Sequence, residues 1–458
     1  MTDLALPRSS DSDLRRSFEE LRANEFSRLD ENGYVYLDYT GSALYAASHL
    51  RDHESFLEHH VLGNPHSENP ASAAATRIVD DTRRAVLDFF GADPSVFTAI
   101  FTANASAALK LVGESYPFTE ESRFTLLADA HNSVNGIRAY ADQAGAATIY
   151  LPLDEELRRD DSVAIPPAGQ GPSLFSFPAQ SNLSGVRHPL GLVHEARALG
   201  YDTLLDAAAF VPTSELDLGQ VQADFTCVSF YKMFGFPTGV GALIARREAL
   251  ARLERPWFAG GTVDFVSVEN RIHRLVTGAS AFEDGTLNFL GIAAVQSGLA
   301  FLRDIGMDRV HARVNDLTAR LLEILGNARH PDGAPALRVY GPMSVTDRGG
   351  TVSFNMLDAE GHLIPYGDVE RAAGAEGIAL RGGCFCNPGA AERALELPGH
   401  AMLECLEAIP TGAFSLKALA ECLGGDVAVG ALRASVSIPT TDADLDRLES
   451  FLVRYLER

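Results

Sequence analysis

Lysine is almost missing from this sequence. Its 458 residues include 61 acidic and 38 basic side chains, a formal net charge of −23, and only three of the basic residues are lysines: Lys110, Lys232 and Lys417. Such an acidic chain lacks the clustered positive charge that binds phosphate backbones and anionic lipid surfaces. We therefore expect neither a nucleic-acid partner nor a membrane partner.

Cysteine is also scarce, and several common signatures are missing. Five cysteines in a chain of this length do not make a disulfide framework. Residues 1–20 are polar and charged, unlike a secretory signal, and no run of 18 apolar residues occurs. We therefore expect a cytoplasmic protein. The sequence has no Gly-x-Gly-x-x-Gly loop, no Walker loop and no convincing metal-binding pattern, so no metal site is predicted.

Short apolar segments alternate with helical ones from Val35 onward. This alternation predicts an α/β fold, with a mostly parallel sheet covered by helices on both faces. After about Val310 the pattern changes to that of a smaller α+β domain. The predicted organisation is an N-terminal lead and helix at residues 1–30, a large domain at 31–310 and a small C-terminal domain at 311–458. The predicted strands of the large sheet are residues 98–102, 125–128, 173–177, 203–205 and 225–229.

Polar residues follow several of these strands, at the edge of a parallel sheet where ligands usually bind. After the first strand, Ala105 and Ser106 begin a helix, whose free amide groups and dipole favour an anion. An ordinary helix cap is the alternative interpretation. The next three strand ends carry His131, then Gln180 and Asn182, then Asp206.

Lys232 lies in the aromatic, glycine-containing segment SFYKMFGFPTG, between two apolar strands. Lysine is rarely placed there unless its amine is used, and a desolvated amine can form a Schiff base. Asp206 borders an apolar segment and needs a partner, although a helix cap or buried ion pair would also satisfy it. With the turn at Ala105 and Ser106, these residues predict a site for pyridoxal 5′-phosphate, which requires an amine, a carboxylate and an anion-binding turn.

Nine further segments are distinctive when taken together: YLDYTGSALY, NPHSENP, FTANASAALKL, PAQSNLSGVRHPL, LLDAAAFVPTSELDL, ADFTCVSFYKMFGFPTGVGAL, FAGGTV, FEDGTLNFL and LRGGCFCNPGA. With them the chain, from about Val35 to Phe451, resembles the class V aminotransferase-like enzymes. Within that family it most resembles the cysteine-desulfurase-like domain of molybdenum cofactor sulfurases. The resemblance implies pyridoxal-phosphate fold type I, which has a large domain with a mostly parallel sheet and a smaller α+β C-terminal domain.

The resemblance also implies how the cofactor is held. Lys232 would bind it covalently, Asp206 would pair with the ring nitrogen, and His131 would stack on the ring and assist proton transfer. Its phosphate would be held by Ala105, Ser106 and Ser229, and by Thr286 from the neighbouring subunit of a homodimer. Asn182 and Gln180 would contact the phenolic oxygen or the substrate.

Substrate binding and sulfur chemistry are implied in the same way. Arg433 would bind the substrate carboxylate, and Arg381 and Asn182 would also bind the substrate. His66 would line the substrate pocket, with a loop-capping role as the alternative. Cys386, five residues after Arg381, would be the nucleophile, because a reactive thiolate needs exposure and a positive neighbour. Without the resemblance, Cys384 and Cys386 are as readily a buried pair or a weak metal clip.

These residues predict an enzyme that cleaves the carbon–sulfur bond of L-cysteine or a cysteine derivative. A desulfurase would store a persulfide on Cys386, release alanine and pass the sulfur to an acceptor protein. Three alternatives remain: a lyase that eliminates from cysteine conjugates, an aminotransferase or epimerase, and a non-catalytic sulfur-relay protein. Related desulfurases usually have histidine before the lysine and glutamine three residues after the aspartate, where this chain has Tyr231 and Ala209.

Overall fold

Short apolar segments form the strands of four β-sheets. The computed structural model describes residues 11–424 and 428–457, so the first ten residues of the predicted N-terminal lead lie outside the described part. The strands, in chain order, are β1 Val35–Tyr36, β2 Phe97–Thr102, β3 Arg123–Leu127, β4 Ala147–Leu151, β5 Leu174–Pro178, β6 Asp202–Asp206, β7 Phe225–Ser229, β8 Gly241–Arg246, β9 Val263–Ser267, β10 Ile272–Leu275, β11 Leu337–Tyr340, β12 Thr351–Met356, β13 Ile378–Ala379, β14 Arg381–Gly383 and β15 Ala431–Ser435.

The largest sheet has seven strands in the order β2-β8-β7-β6-β5-β3-β4. Only β8 runs against its neighbours, being antiparallel to β2 and β7, while the other pairings are parallel. The mostly parallel arrangement agrees with the prediction. It places the carboxyl ends of β2, β3, β5, β6 and β7 at the same edge of the sheet.

Both faces of this sheet are buried, because successive residues of its strands enter different cores. Leu205 and Val228 belong to one core, and their neighbours Leu204 and Cys227 to the other. Such two-sided burial is what a parallel sheet requires, and it explains why these strands are apolar without alternation. The sheet is therefore a rigid platform whose polar groups emerge at the strand ends.

The helices cover the seven-stranded sheet and a smaller four-stranded sheet, and they connect the strands of both. They are α1 Asp11–Glu25, α2 Arg28–Glu31, α3 Ala47–His59, α4 Pro70–Phe89, α5 Ala105–Ser115, α6 Asn132–Asn135, α7 Arg138–Gln143, α8 Leu192–Ala198, α9 Leu218–Val221, α10 Phe230–Phe234, α11 Arg247–Leu250, α12 Phe289–Ile305, α13 Met307–Asn327, α14 Tyr366–Ala375, α15 Pro388–Ala394, α16 Gly399–Ala408, α17 Leu416–Cys422 and α18 Asp442–Leu456. Two 3₁₀ helices lie at Ala279–Phe282 and Thr411–Ala413. No single described helix is long and apolar enough to cross a membrane; the bent pair α12 and α13 meets that test by length and composition alone.

A second, antiparallel sheet has the order β11-β12-β15-β14, within the predicted C-terminal domain. β1, near the N-terminus, pairs in parallel with β13. The first strand of the predicted large domain therefore joins the C-terminal part of the chain. The domain limits at residues 31–310 and 311–458 stay a prediction.

Several elements differ from the sequence prediction. The sequence pattern of residues 133–143 favours one helix, but the structure has two short helices there, α6 and α7. The strand-like pattern of residues 378–381 is divided between β13 and β14. β4 was not predicted from the sequence, because it is an edge strand with two exposed side chains and only a weak apolar signal. One disulfide is present, Cys405–Cys422, which links α16 to α17.

Candidate active site

The carboxyl ends of the parallel strands surround a cavity of about 140 Å³. Eight of the nine residues predicted to bind the cofactor line this cavity, although they come from five separate segments of the chain. They are Ala105, Ser106, His131, Gln180, Asn182, Asp206, Ser229 and Lys232. The parallel sheet brings them together because its strand ends meet at one edge.

One end of the cavity is built from hydroxyl and amide groups. Asn104 caps α5 by accepting a hydrogen bond from the Ala107 amide at 3.0 Å. The Ala105 amide donates to Ser229 Oγ at 2.8 Å, and the Ser106 and Ser133 hydroxyls are 2.6 Å apart. A helix N-terminus with three hydroxyls around it is suited to an anion.

His131 caps the next helix, α6, and its ring is oriented by that helix. The Ser133 amide donates to His131 Nδ1 at 3.1 Å. In the neutral ring the proton therefore resides on Nε2. Burial lowers the pKa of His131, and the nearby Asp206 opposes this shift while Lys232 adds to it. A neutral imidazole with its Nε2 proton available is suited to proton transfer.

Lys232 lies on α10, immediately after β7, and faces the cavity. It is half-buried, with surface remaining toward the cavity that it lines. Gly235 ends this helix with φ +80°, and a Cβ there would lie 2.3 Å from the Tyr45 amide nitrogen. The glycine is thus required for α10 to lie this close to residues 44 and 45. Burial lowers the pKa of Lys232, an effect that Asp206 opposes and Arg433 increases.

This pKa shift can be tested because the chain has only three lysines. Only a neutral amine attacks an aldehyde. In the cofactor-free protein at pH 8 we expect acetaldehyde with borohydride to modify Lys232 before Lys417, although Lys417 is far more exposed. Lys110 should react last, because its hydrogen bond to Glu114 raises its pKa. The preference should fade as pH rises toward 10.5, the usual lysine value.

Peptide mapping by mass spectrometry gives the rate for each lysine separately. If access rather than protonation governs the reaction, the two exposed lysines will be modified first at every pH, which would contradict the shift. In a Lys417→Arg variant, the modification rate of Lys232 is measured without competition from Lys417 for the aldehyde.

Asp206 ends β6 and lines the same cavity as the anion-binding turn. It is 8% exposed, and its Oδ1 accepts a hydrogen bond from the Ala208 amide at 3.1 Å. Within the described residues no donor reaches its second carboxylate oxygen. A buried carboxylate normally has a partner, so this oxygen is suited to a positively charged or protonated ligand nitrogen.

A second carboxylate in the cavity wall received no role from the sequence. Asp129 Oδ2 lies 2.8 Å from His188 Nε2, and both side chains are buried. Asp129 Oδ1 has no hydrogen-bond partner in the described part of the chain. Asp129 directly precedes the His131 turn, and the polar pattern Asp-Ala-His was the available signal. His188 is 59 residues away in sequence, and no local pattern marked it.

The two arginines predicted to bind substrate share one carboxylate. Arg433 Nη2 lies 2.9 Å from Asp38 Oδ1, and Arg381 Nη2 lies 2.6 Å from Asp38 Oδ2. Arg433 also donates to the Asn182 backbone oxygen at 3.0 Å. Two guanidinium groups against one carboxylate leave an excess positive charge beside the cavity. That excess is suited to the carboxylate of an amino acid.

The arginines differ in exposure. Arg433 is buried, its guanidinium lies 4.7 Å from the centre of the Phe385 ring, and burial lowers its pKa. Arg381 is half-exposed, and its hydrogen bonds to Asp38 raise its pKa. No local sequence pattern marks Asp38, because it lies 395 residues before its partner Arg433.

Cys386 lies in a short loop between β14 and α15, and its residue is exposed. It is not part of the cavity lining, but its loop is tied to that lining. Asn182 Nδ2 donates to the Phe385 backbone oxygen at 2.7 Å, and the Asn132 amide donates to that of Cys386 at 2.7 Å. Cys384 faces elsewhere: its thiol donates to the Val429 backbone oxygen at 2.8 Å, and burial raises its pKa.

Two predicted residues lie away from the cavity. Thr286 is exposed and lines a separate cavity of about 390 Å³, near residues 101–103. His66 is exposed with φ +69°, and its amide donates to the Thr76 hydroxyl at 3.3 Å, which fits the loop role that was the alternative. Within a single described chain, neither residue reaches the site.

Comparison with known families places the chain clearly. Residues 35–448 match the family model described as Aminotransferase class-V. The chain is 37% identical over 418 residues to the molybdenum cofactor sulfurase of Bos taurus, covering 86% of this chain and 47% of that protein. It is 34% identical over 446 residues to the molybdenum cofactor sulfurase of Arabidopsis thaliana, covering 86% and 53%. The chain spans about half the length of these relatives.

Two solved structures resemble the whole chain. An apo cysteine desulfurase from Thermococcus onnurineus NA1 matches with a TM-score of 0.77 at 23% identity, covering 96% of this chain and 98% of that one. The cysteine desulfurase CsdA from Escherichia coli, in an S-sulfonic acid form, gives 0.73 at 20% identity, with the same coverages. At these identities the likeness shows the fold, and the predicted fold type I α/β class is confirmed.

Proposed function

The chain belongs to the class V aminotransferase family, and we propose that it is a pyridoxal-phosphate enzyme that removes sulfur from L-cysteine or a cysteine derivative. One observation carries this proposal. A cavity containing Lys232, Asp206 and His131 is joined through Asn182 to a loop that presents the exposed thiol of Cys386. An aminotransferase needs the first three residues, whereas only sulfur transfer also needs the thiol.

The cavity residues fit pyridoxal 5′-phosphate at three points. The α5 N-terminus, with Ser106 and Ser229, would hold the phosphate. The unpartnered oxygen of Asp206 would bind the ring nitrogen, and Lys232 would supply the amine. When bound, the cofactor withdraws electrons from the substrate carbon next to the amino group. Asp206 supports this by keeping the ring nitrogen protonated.

Lys232 and His131 would move the protons. Burial lowers the pKa of Lys232, which favours the neutral amine that can take a proton from the substrate carbon. His131 carries its available proton on Nε2, directed away from the helix that it caps. The two groups can thus hold a proton at different positions around the ring.

Arg433 and Arg381 would bind the substrate carboxylate. Asp38 already orients both guanidinium groups, so the substrate would enter a prepared site rather than order two flexible side chains. Asn182 links Arg433 to the Cys386 loop, because its backbone oxygen accepts from Arg433 and its side chain donates to the Phe385 backbone oxygen.

Cys386 would accept the sulfur. Its thiolate would form a bond to the substrate sulfur while the carbon–sulfur bond breaks, and the electron pair of that bond would pass to the substrate carbon. That carbon then takes a proton, which gives alanine, and the sulfur remains on Cys386 as a persulfide. The exposed position of Cys386 supports onward transfer to an acceptor protein.

We propose a homodimer for the same enzyme. Several large apolar side chains around the β9–β10 hairpin are exposed: Trp257, Phe258, Phe265, Val268 and Ile272. A monomer rarely exposes such a patch, and a second copy would cover it. Thr286, exposed at a cavity near the phosphate-binding turn, would then be available to the partner subunit. Sedimentation equilibrium should give twice the 49.1 kDa mass of the chain.

Product analysis tests the proposed reaction directly. Purified enzyme with bound cofactor is incubated with free L-cysteine and with S-substituted cysteines. We expect alanine from L-cysteine, and a mass gain of one sulfur atom on the peptide that contains Cys386. Pyruvate and ammonia in place of alanine would instead indicate elimination, and a keto acid retaining the sulfur would indicate transamination.

A further inference from the structure

The loop that carries Cys386 has an unusual backbone conformation. Phe385 and Cys386 have φ angles of +56° and +54°, two successive non-glycine residues in the left-handed region. L-residues rarely adopt this region, and they persist there only when surrounding contacts hold them. The thiol position therefore depends on what fixes the loop.

Asn387, the next residue of this loop, is fully buried. Its Nδ2 donates to the Asp129 backbone oxygen at 2.8 Å and to Asn182 Oδ1 at 2.9 Å. Its Oδ1 accepts from the Ala390 amide at 3.2 Å, which caps α15. Both amide protons and the carbonyl of this side chain are thus used.

The contacts of Asn387 join the loop to the cavity at two points. Asp129 lines the cavity and immediately precedes the His131 turn, and Asn182 donates in turn to the Phe385 backbone oxygen. The backbone is equally close here, because a Cβ at Gly389 would lie 2.1 Å from the Ala128 oxygen. The start of α15 is therefore fixed against the end of β3.

We propose that Asn387 is a positioning residue, which holds Cys386 at the mouth of the cavity in line with the substrate sulfur. This inference rests on the proposed function. Asn387 does not touch the cavity, so it acts through the Phe385–Cys386 backbone and through Asn182. A thiol displaced by about 1 Å loses roughly 10²-fold in rate, because the attack requires aligned atoms.

Asn387→Asp is the informative substitution. The new side chain keeps the oxygen that caps α15, but it replaces the two amide protons by a charged oxygen facing two acceptors. We expect kcat for alanine formation from L-cysteine to fall about 10²-fold. KM should change far less than kcat, and cofactor content should stay at the wild-type level, because the substrate arginines, Lys232 and the phosphate-binding turn are untouched. A merely structural residue would alter cofactor content or KM as well.

The chain offers a matched control. Asn69 also caps a helix that begins with proline, and it accepts from the Ser72 amide at 3.0 Å. Within the described part of the chain, the hydrogen bonds of its exposed side chain go to Ser67 and Ser72, and none goes to the cavity lining or the Cys386 loop. Asn69→Asp should therefore leave kcat unchanged. A wild-type kcat in Asn387→Asp, or an equal loss in both variants, would overturn the inference.

Hydrogen exchange separates this inference from the proposed function. In Asn387→Asp, exchange should rise in the peptide containing residues 384–391, and at the Asn132 amide, whatever the reaction is. If wild-type enzyme makes no alanine but exchange rises, the proposed function fails and the anchoring of the loop stands. If exchange and kcat are both unchanged, the inference fails. If Asn387→Asp does not take up cofactor, the same measurements are made on Asn387→Ser. This variant keeps a capping oxygen without the charge, and its kcat and exchange then decide.

Discussion

Replacing Lys232 with alanine is expected to abolish turnover of L-cysteine. The rate should fall by roughly 10⁴-fold or more, because one side chain both binds the cofactor covalently and transfers protons. Its environment explains why no neighbour can substitute. Burial lowers the pKa of this amine, whereas Lys110 and Lys417 are exposed and paired with glutamates along their own helices.

This variant should lose turnover but keep its cofactor. The phosphate-binding turn and Asp206 are unchanged, so Lys232→Ala should retain the cofactor through dialysis with an absorbance that differs from the wild type. Alanine release and the visible spectrum are the two measurements. Partial recovery of the rate by added methylamine would show that the missing group is an amine.

Lys417→Ala is the control for this experiment. Its side chain is 86% exposed on α17 and faces Glu421, away from the cavity. It should turn over at the wild-type rate. Substantial turnover in Lys232→Ala without added amine would mean that Lys232 is not the proton carrier, and the assignment of the site would fail.

The parts of this site that the sequence predicts are those at strand ends. Asp206 ends an apolar strand, and His131 and Asn182 lie four residues beyond the ends of two others. A parallel sheet brings such ends to one edge whatever the loops do. Lys232 was conspicuous because lysine is so rare in this chain. These assignments required only local patterns and one rule about sheets.

The parts that the sequence does not reveal depend on pairs far apart in the chain. Asp38 meets Arg433 across 395 residues, and Asn387 meets Asn182 across 205. Each of these residues has an ordinary local interpretation, as a strand residue or a helix cap. Only the packing of β15 and α15 against the cavity gives them a second role.

The subunit contacts and the cellular location are predictions that the structure of a single chain does not test. Thr286 was expected at the phosphate of a partner subunit, and a single chain places it at an exposed surface instead. That role stays a prediction until the dimer is measured. The expected cytoplasmic location, which rested on composition, also stays a prediction.

Replacing Cys386 with serine should remove sulfur transfer while leaving the cofactor site intact. We expect alanine formation from L-cysteine to fall at least about 10³-fold, because a hydroxyl cannot accept sulfur as a persulfide. No residue in the described part of the cavity lining is a cysteine that could replace it. Uptake of cofactor and its spectral response to L-cysteine should be unchanged, since Lys232, Asp206 and Arg433 remain.

Cys384→Ser is the matched control, two residues away in the same loop. Burial raises the pKa of the Cys384 thiol, so it stays protonated and is a poor nucleophile at neutral pH. A serine hydroxyl can also donate to the Val429 backbone oxygen, as the thiol does. This variant should therefore retain both persulfide and alanine formation. If Cys386→Ser still releases alanine at the wild-type rate, the sulfur leaves without a protein nucleophile, and elimination becomes the better account of the enzyme. If Cys384→Ser loses activity instead, Cys384 is the nucleophile, and the roles that we assign to the two cysteines from their exposure are wrong.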